Sequence, residues 1–137
     1  MHLEFIAPGP PVSNQQSTSQ GRANLAAWKA KVHARVVAAW AKPALGTKLK
    51  AVVINFHDGD KPSLDLDNMS KPIFDAMNNI VYEDDRQLRQ VELVHLRIDA
   101  PMVIVGASKI LVDAVQAGQQ FVYVRVDDIV DPLPLPK

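Results

Sequence analysis

The hydrophobic period of this chain switches repeatedly between about 3.6 and 2, and that switching restricts the folds open to it. Over Arg22–Lys42, Leu25, Trp28, Val32, Val36 and then Ala39 or Trp40 recur every three or four residues. That stripe predicts a helix, ended by Pro43. Lys48–His57 alternates instead, is rich in β-branched residues, and predicts a strand. Alternation returns over Gln87–Ile98, where Leu88, Val91, Leu93 and Leu96 stand among polar residues. It returns again over Gln119–Asp128, with Phe121, Tyr123 and Arg125 on one face.

Helical spacing reappears twice. Asn68–Asn79 places Met69, Ile73, Ala76 and Met77 together, with Pro72 expected in the first turn, where amides lack partners anyway. Ser108–Ala117 predicts a short helix closed by Gly118. At the start, His2–Ala7 reads as a strand broken by Pro8-Gly9-Pro10-Pro11, and Val12–Gly21 as a polar loop. Asp131–Lys137 reads as an extended, proline-rich end. The expected order is β-α-β-α-β-α-β. This gives an α+β fold, a single domain over residues 1–137, with one mostly antiparallel mixed sheet and helices on a face. A hairpin-type connection is expected to join the last two strands around the third helix.

At 137 residues and 47% hydrophobic, the chain buries enough surface to fold without staples. It has no cysteine, which excludes disulfides, thiolate catalysis and cysteine-based metal sites. The longest apolar run, Val36–Ala41, falls far short of the ~20 residues that span a bilayer. The start, Met-His-Leu-Glu-Phe-Ile, lacks the basic segment of a signal peptide. The expectation is a soluble, cytoplasmic protein with no membrane partner.

Net charge is zero, but its distribution is lopsided. Between Phe5 and His57 there is no acid, against seven bases: Arg22, Lys29, Lys31, Arg35, Lys42, Lys48 and Lys50. From Asp58 to Asp85 eight acids face only Lys61 and Lys71. A basic half beside an acidic cluster suits a polyanion held against bound cations.

The chemistry concentrates in Leu64-Asp65-Leu66-Asp67-Asn68-Met69-Ser70-Lys71-Pro72, followed by Val81-Tyr82-Glu83-Asp84-Asp85. Aspartates at i and i+2 on an extended segment point to the same side. Close carboxylates repel unless a cation lies between them, and magnesium or manganese takes one or two carboxylates together with water and phosphate oxygens. Asp84 or Asp85 would supply a third carboxylate. Lys71, four residues after Asp67, suits the charge that develops on a scissile phosphate. These are the parts of a metal-dependent phosphodiesterase.

Each part also has a plainer reading. Asp67 can cap a helix, Lys71 can pair with Asp75 at i,i+4, and Glu83-Asp84-Asp85 can be a solvated turn. An EF-hand is disfavoured, because its glycine and terminal glutamate are missing after Asp65. Trp28 and Trp40 read as core or dimer-interface anchors rather than stacking platforms. Lys29, Lys31 and Arg35 are candidate phosphate contacts or a solvated face. His57 ends a strand beside the acidic loop and is weighed as a proton shuttle. His2, His33 and His95 show no ligand spacing.

The run Asp65-Leu66-Asp67-Asn68 … Lys71-Pro72 … Asp75-Ala76 … Tyr82-Glu83-Asp84-Asp85 … Gln87 resembles the signature of RusA-family endonucleases, as does Pro10-Pro11-Val12-Ser13-Asn14. These are Holliday junction resolvases of bacteria and their phages. The resemblance spans roughly residues 3 to 98. It implies an α+β homodimer that binds branched DNA, a four-way junction, and needs Mg2+; Mn2+, which takes the same oxygen ligands, is the alternative ion on coordination chemistry. Each subunit would nick one strand. Residue by residue it implies Asp65, Asp67 and Asp85 as catalytic metal ligands, with Asp84 the alternative for the last. It implies Lys71 as catalytic and phosphate-contacting, while Asn68 shapes the turn. Lys29, Lys31 and Arg35 would add DNA contacts. The rival functions are a nuclease on other branched DNA and a DNA-binding dimer that no longer cuts.

Overall fold

The computed structural model describes all 137 residues. In chain order the elements are β1 (Leu3–Pro8), α1 (Ser19–Ala39), β2 (Leu49–His57), α2 (Leu66–Met77), a 3₁₀ turn (Asp85–Gln87), β3 (Leu88–Arg97), α3 (Lys109–Gln116) and β4 (Phe121–Asp128). The four strands form one sheet in the order β1-β4-β2-β3. β4 runs antiparallel to both β1 and β2, while β3 runs parallel to β2. The α+β class and the mostly antiparallel mixed sheet are as expected.

The connections differ from the expectation. β3 and β4 are not neighbours, because β4 inserts between β1 and β2, so no hairpin joins them. β2, α2 and β3 instead form a parallel crossover, in which the helix carries the chain back along the sheet. The helices also occupy both faces. Trp28, Val32, Val36, Met69, Ile73 and Met77 of α1 and α2 pack on Leu3, Phe5, Val53 and Val124. On the opposite face, Leu111, Ala114 and Val115 of α3 pack on Phe56, Phe121 and Tyr123. Both Trp28 and Trp40 are buried, which makes them core residues.

Capping explains the helix limits. Thr18 Oγ1 accepts the Gly21 amide at 2.9 Å, so α1 starts three residues before the expected Arg22. The polar loop is correspondingly shorter. α1 ends at Ala39, where the Trp40 N–H closes onto the Val36 carbonyl. Ser108 caps α3 through the Leu111 amide and donates to Glu4 at 2.8 Å, while the Tyr123 hydroxyl donates to the same oxygen at 2.7 Å. Burial first, and then Glu4, push the Tyr123 phenol up to about 12.

Pro72 is not in the first turn of α2, which begins at Leu66. A proline there cannot donate to the Asn68 carbonyl one turn back. The Asn14 amide takes that carbonyl at 2.9 Å. The gap in the helix thus anchors the segment following Pro10-Pro11 to the first turn of α2. No helix is long and apolar enough to cross a membrane. The end, 131–137, is exposed throughout.

Candidate active site

Because β2 and β3 are parallel, His57 and Arg97 end at the same edge of the sheet, where α2 begins. This upper end holds the two aspartates of the motif. Asp65 is the extended residue before α2, and its carboxylate makes no capping bond. Asp67 lies in the first turn. Both are exposed, and neither side chain has a cationic partner. Lys61, Ser63, Leu64, Asp65, Leu66 and His95 line an open groove beside them. Pro10, Pro11, Asn55, His57 and Gln120 line a second hollow, which shares Lys61 and Ser63 with the first.

The floor of this end is polar and buried. Asn55 is 1% exposed and His57 8%. The His57 Nδ1–H donates to the Asp58 carbonyl at 3.0 Å. The Asn55 amide nitrogen stands 3.1 Å from His95 Nδ1. Burial and the neighbouring His57 push the His95 ring towards its neutral form, opposed by the Leu64 carbonyl and the Asp65 charge. Asn55 Oδ1 and His95 Nε2 are buried without a hydrogen-bond partner. Leaving such an atom unpaired costs about 1–3 kcal/mol.

The lower end, where β2 and β3 start, is built differently. Asp84 accepts the Arg86 amide at 2.8 Å and pairs with the Arg86 guanidinium at 2.8 Å. The guanidinium hydrogen bond holds its carboxyl well below the usual carboxylate range. Gln87 donates to the Leu45 and Thr47 carbonyls at 2.8 and 2.9 Å, and accepts the Glu83 and Asp84 amides at 2.9 and 3.0 Å. The Tyr82 hydroxyl donates to the Phe74 carbonyl at 2.7 Å. Burial pushes that phenol up, and the charges of Asp85 and Asp75 push it further. Asp85 is exposed and has no cationic partner. Lys71 Nζ lies 3.4 Å from the Asp75 carboxylate, and the i,i+4 pair is made there and not with Asp67.

The crossover sets the distance between these groups. α2 has 12 residues, which gives a length of about 18 Å. Asp65 and Asp67 stand at its start, and Asp85 lies beyond its end. Accordingly, no three His, Asp or Glu side chains gather into a group that could hold a metal ion. The donor chemistry nevertheless fits a hard divalent cation, because Asp65 and Asp67 are unpaired carboxylates two residues apart at the start of α2 and Mg2+ needs only one or two of these.

The family model described as Endodeoxyribonuclease RusA matches residues 8–106. The chain belongs to the RusA endodeoxyribonuclease family. It is therefore an enzyme of the DNA-cutting class. The match runs from the Pro10-Pro11 segment through β3 and takes in both ends of the crossover, while α3 and β4 lie outside it. No match to a curated protein was found.

Of the RusA site residues expected from sequence, Asp65 directly precedes α2 and Asp67 lies in its first turn, Lys71 lies midway along α2, and Asp85 opens the 3₁₀ turn beyond the helix's other end. Asp84, the alternative to Asp85, is committed to Arg86. On α1, Lys31 donates to the Pro8 carbonyl at 3.4 Å and sits 5.7 Å from the Trp28 ring, while Arg35 is exposed. Sequence reasoning set His95 aside for want of ligand spacing and passed over Asn55. Their one signal was a pair of histidines, His57 and His95, near the ends of two separate alternating runs.

Proposed function

We propose that this RusA-family enzyme is a Mg2+-dependent endonuclease, with Mn2+ able to substitute, that resolves four-way Holliday junctions in DNA recombination and repair. It acts as a homodimer and cuts two symmetric strands, one per subunit. Its place of action is the cytoplasm of a bacterial host.

The supporting observation is the pair of unpartnered carboxylates, Asp65 and Asp67, at the start of α2 in a chain of this family. They would hold the cation, and Asp85 of the partner subunit would complete the set, since one chain keeps Asp85 at the other end of the crossover. Asp85 is favoured over Asp84 because Asp84 is already neutralised by Arg86. When bound, the cation supplies activation of water at neutral pH and neutralisation of phosphate charge. Lys71 is exposed and held only by Asp75, so its ammonium is free to turn onto a phosphate oxygen and stabilise the charge that builds there. Lys29, Lys31 and Arg35 present positive charge along α1 for the DNA backbone.

The test is cleavage of a labelled four-way junction with Mg2+, beside flap and linear DNA. Paired symmetric nicks in the four-way substrate, lost in Asp67→Asn with binding retained, are expected. Equal cutting of flaps would make the enzyme a general branched-DNA nuclease, and binding without cutting would leave a non-cutting dimer. Charge reversal at Lys29 and Lys31 should weaken binding and flatten its salt dependence. An unchanged salt slope would move the DNA off α1.

A further inference from the structure

His95 sits near the end of β3, on the floor of the groove that carries Asp65. Its orientation is fixed from one side. The group facing Nδ1 is the Asn55 amide nitrogen, at 3.1 Å, and an amide nitrogen only donates. With the amide in this orientation Nδ1 accepts and the ring hydrogen lies on Nε2. In this tautomer Nε2 is a hydrogen-bond donor and not a ligand atom.

What remains is a buried N–H with no partner, beside an Asn55 that is 1% exposed and whose own Oδ1 is also unpartnered. Leu64 and Asp65 line the same groove as His95, and the Asp65 charge reaches the ring. Both belong to the step that enters α2. Carboxylates that hold metal ions are themselves oriented by hydrogen bonds from outer groups.

We propose that His95 is a positioning residue for Asp65: its Nε2–H, set by Asn55, closes onto the Leu64–Asp65 step when the cation binds and fixes the direction in which the Asp65 carboxylate is presented. This rests on the reading of Asp65 as a cation ligand. Asn55 belongs to the same device, since its hydrogen bond to Nδ1 favours the hydrogen on Nε2. The two orphaned atoms beneath the loop are what an unclosed form of this contact leaves behind.

Calorimetric titration of the full-length protein with Mn2+, without DNA, tests the proposal. The wild type should bind, Asp65→Asn should not, and His95→Leu should bind about 10-fold or more weakly with an unchanged melting temperature in EDTA. His95→Gln, which keeps an N–H donor of similar reach, should recover most of the affinity. Wild-type protein without saturable Mn2+ binding would overturn the cation reading itself. Binding that Asp65→Asn removes but His95→Leu leaves intact would overturn the inference alone.

Should His95→Leu fail to fold, wild-type protein with 15N-labelled histidine gives the same answer. The proton should lie on Nε2, and its resonance should move as Mg2+ is added. A proton on Nδ1, or a resonance indifferent to saturating Mg2+, would overturn the proposal.

Discussion

The two ends of the α2 crossover both carry acids, and they differ in the network around them. At the lower end Asp84 is neutralised by Arg86, and Gln87 satisfies two amides and two carbonyls at once. That end is a clasp, in which polar groups meet each other and hold the start of β3 to the residues before β2. At the upper end Asp65 and Asp67 have no cationic partner, and Asn55 and His95 each keep a buried atom unpaired. Unsatisfied groups are costly in a folded chain, and they persist where a ligand or a closing contact completes them. Acid count does not separate the two ends. What separates them is the Asp84–Arg86–Gln87 clasp, since the lower end also keeps Asp85 without a cationic partner and leaves Asn78 Oδ1 and Gln90 Oε1 buried and unpaired.

Substitutions at the two ends should therefore fail differently. The largest effect is expected from Asp67→Asn, which should lower four-way junction cleavage by more than about 100-fold while binding persists. A gel assay of cleavage and a binding titration on the same preparation check this. Normal cutting by that variant would make the upper acids ordinary helix-cap residues. Lys71→Ala should slow single-turnover cleavage by roughly 100-fold without changing the Mg2+ concentration needed. A change in Mg2+ requirement alone would place the lysine's role in the carboxylates and not in the phosphate.

At the clasp the readout moves from rate to stability. Gln87→Ala should cost about 2 kcal/mol in denaturant unfolding, with cleavage per folded molecule unchanged. Loss of cleavage at full stability would erase the contrast between the ends.

The smallest effect concerns pH. Burial lowers the proton affinity of His95 below its ordinary value of 6.5, so the unfolded chain binds the proton more readily. The associated stability is present above 6.5 and lost as pH falls through the lowered value. Asp84, held low by Arg86, contributes stability above its ordinary 3.8 and loses it only on further acidification. Unfolding measured in EDTA should lose its slope just below 6.5 in His95→Leu, and its slope below 3.8 in Asp84→Asn.

Much of this architecture is legible in the amino acids. Every strand and helix appears in the period of its apolar residues, because burial on one face leaves that imprint. Pairing partners leave none, and the expected hairpin between the last two strands fails for that reason. A β2–α2–β3 unit joined by a helix of this length is a parallel crossover, and that rule would have set the sheet order.

β2 also carried a sign of its two covered faces: Val53 and Ile54 are adjacent and apolar, one packing towards α1 and α2 and the other towards α3. The start of α1 was hidden by Gly21, although Thr18 is a fit capping residue. For the site, the motif made Asp65, Asp67 and Lys71 visible, since they are neighbours in sequence. It could not show that Asp85 lies a helix length away, because spacing along a chain does not report which end of a sheet a residue reaches. Asn55 and His95, forty residues apart, meet only because their strands are paired in register.

Co-expression of differently tagged Asp67→Asn and Asp85→Asn chains tests the account most directly. If the set of carboxylates is assembled from two subunits, each mixed dimer carries one intact set. The purified mixture should then nick a four-way junction at about a quarter of the wild-type rate although both parents are inactive. A mixture as inactive as its parents would place all the acids of one site in one chain and contradict the account.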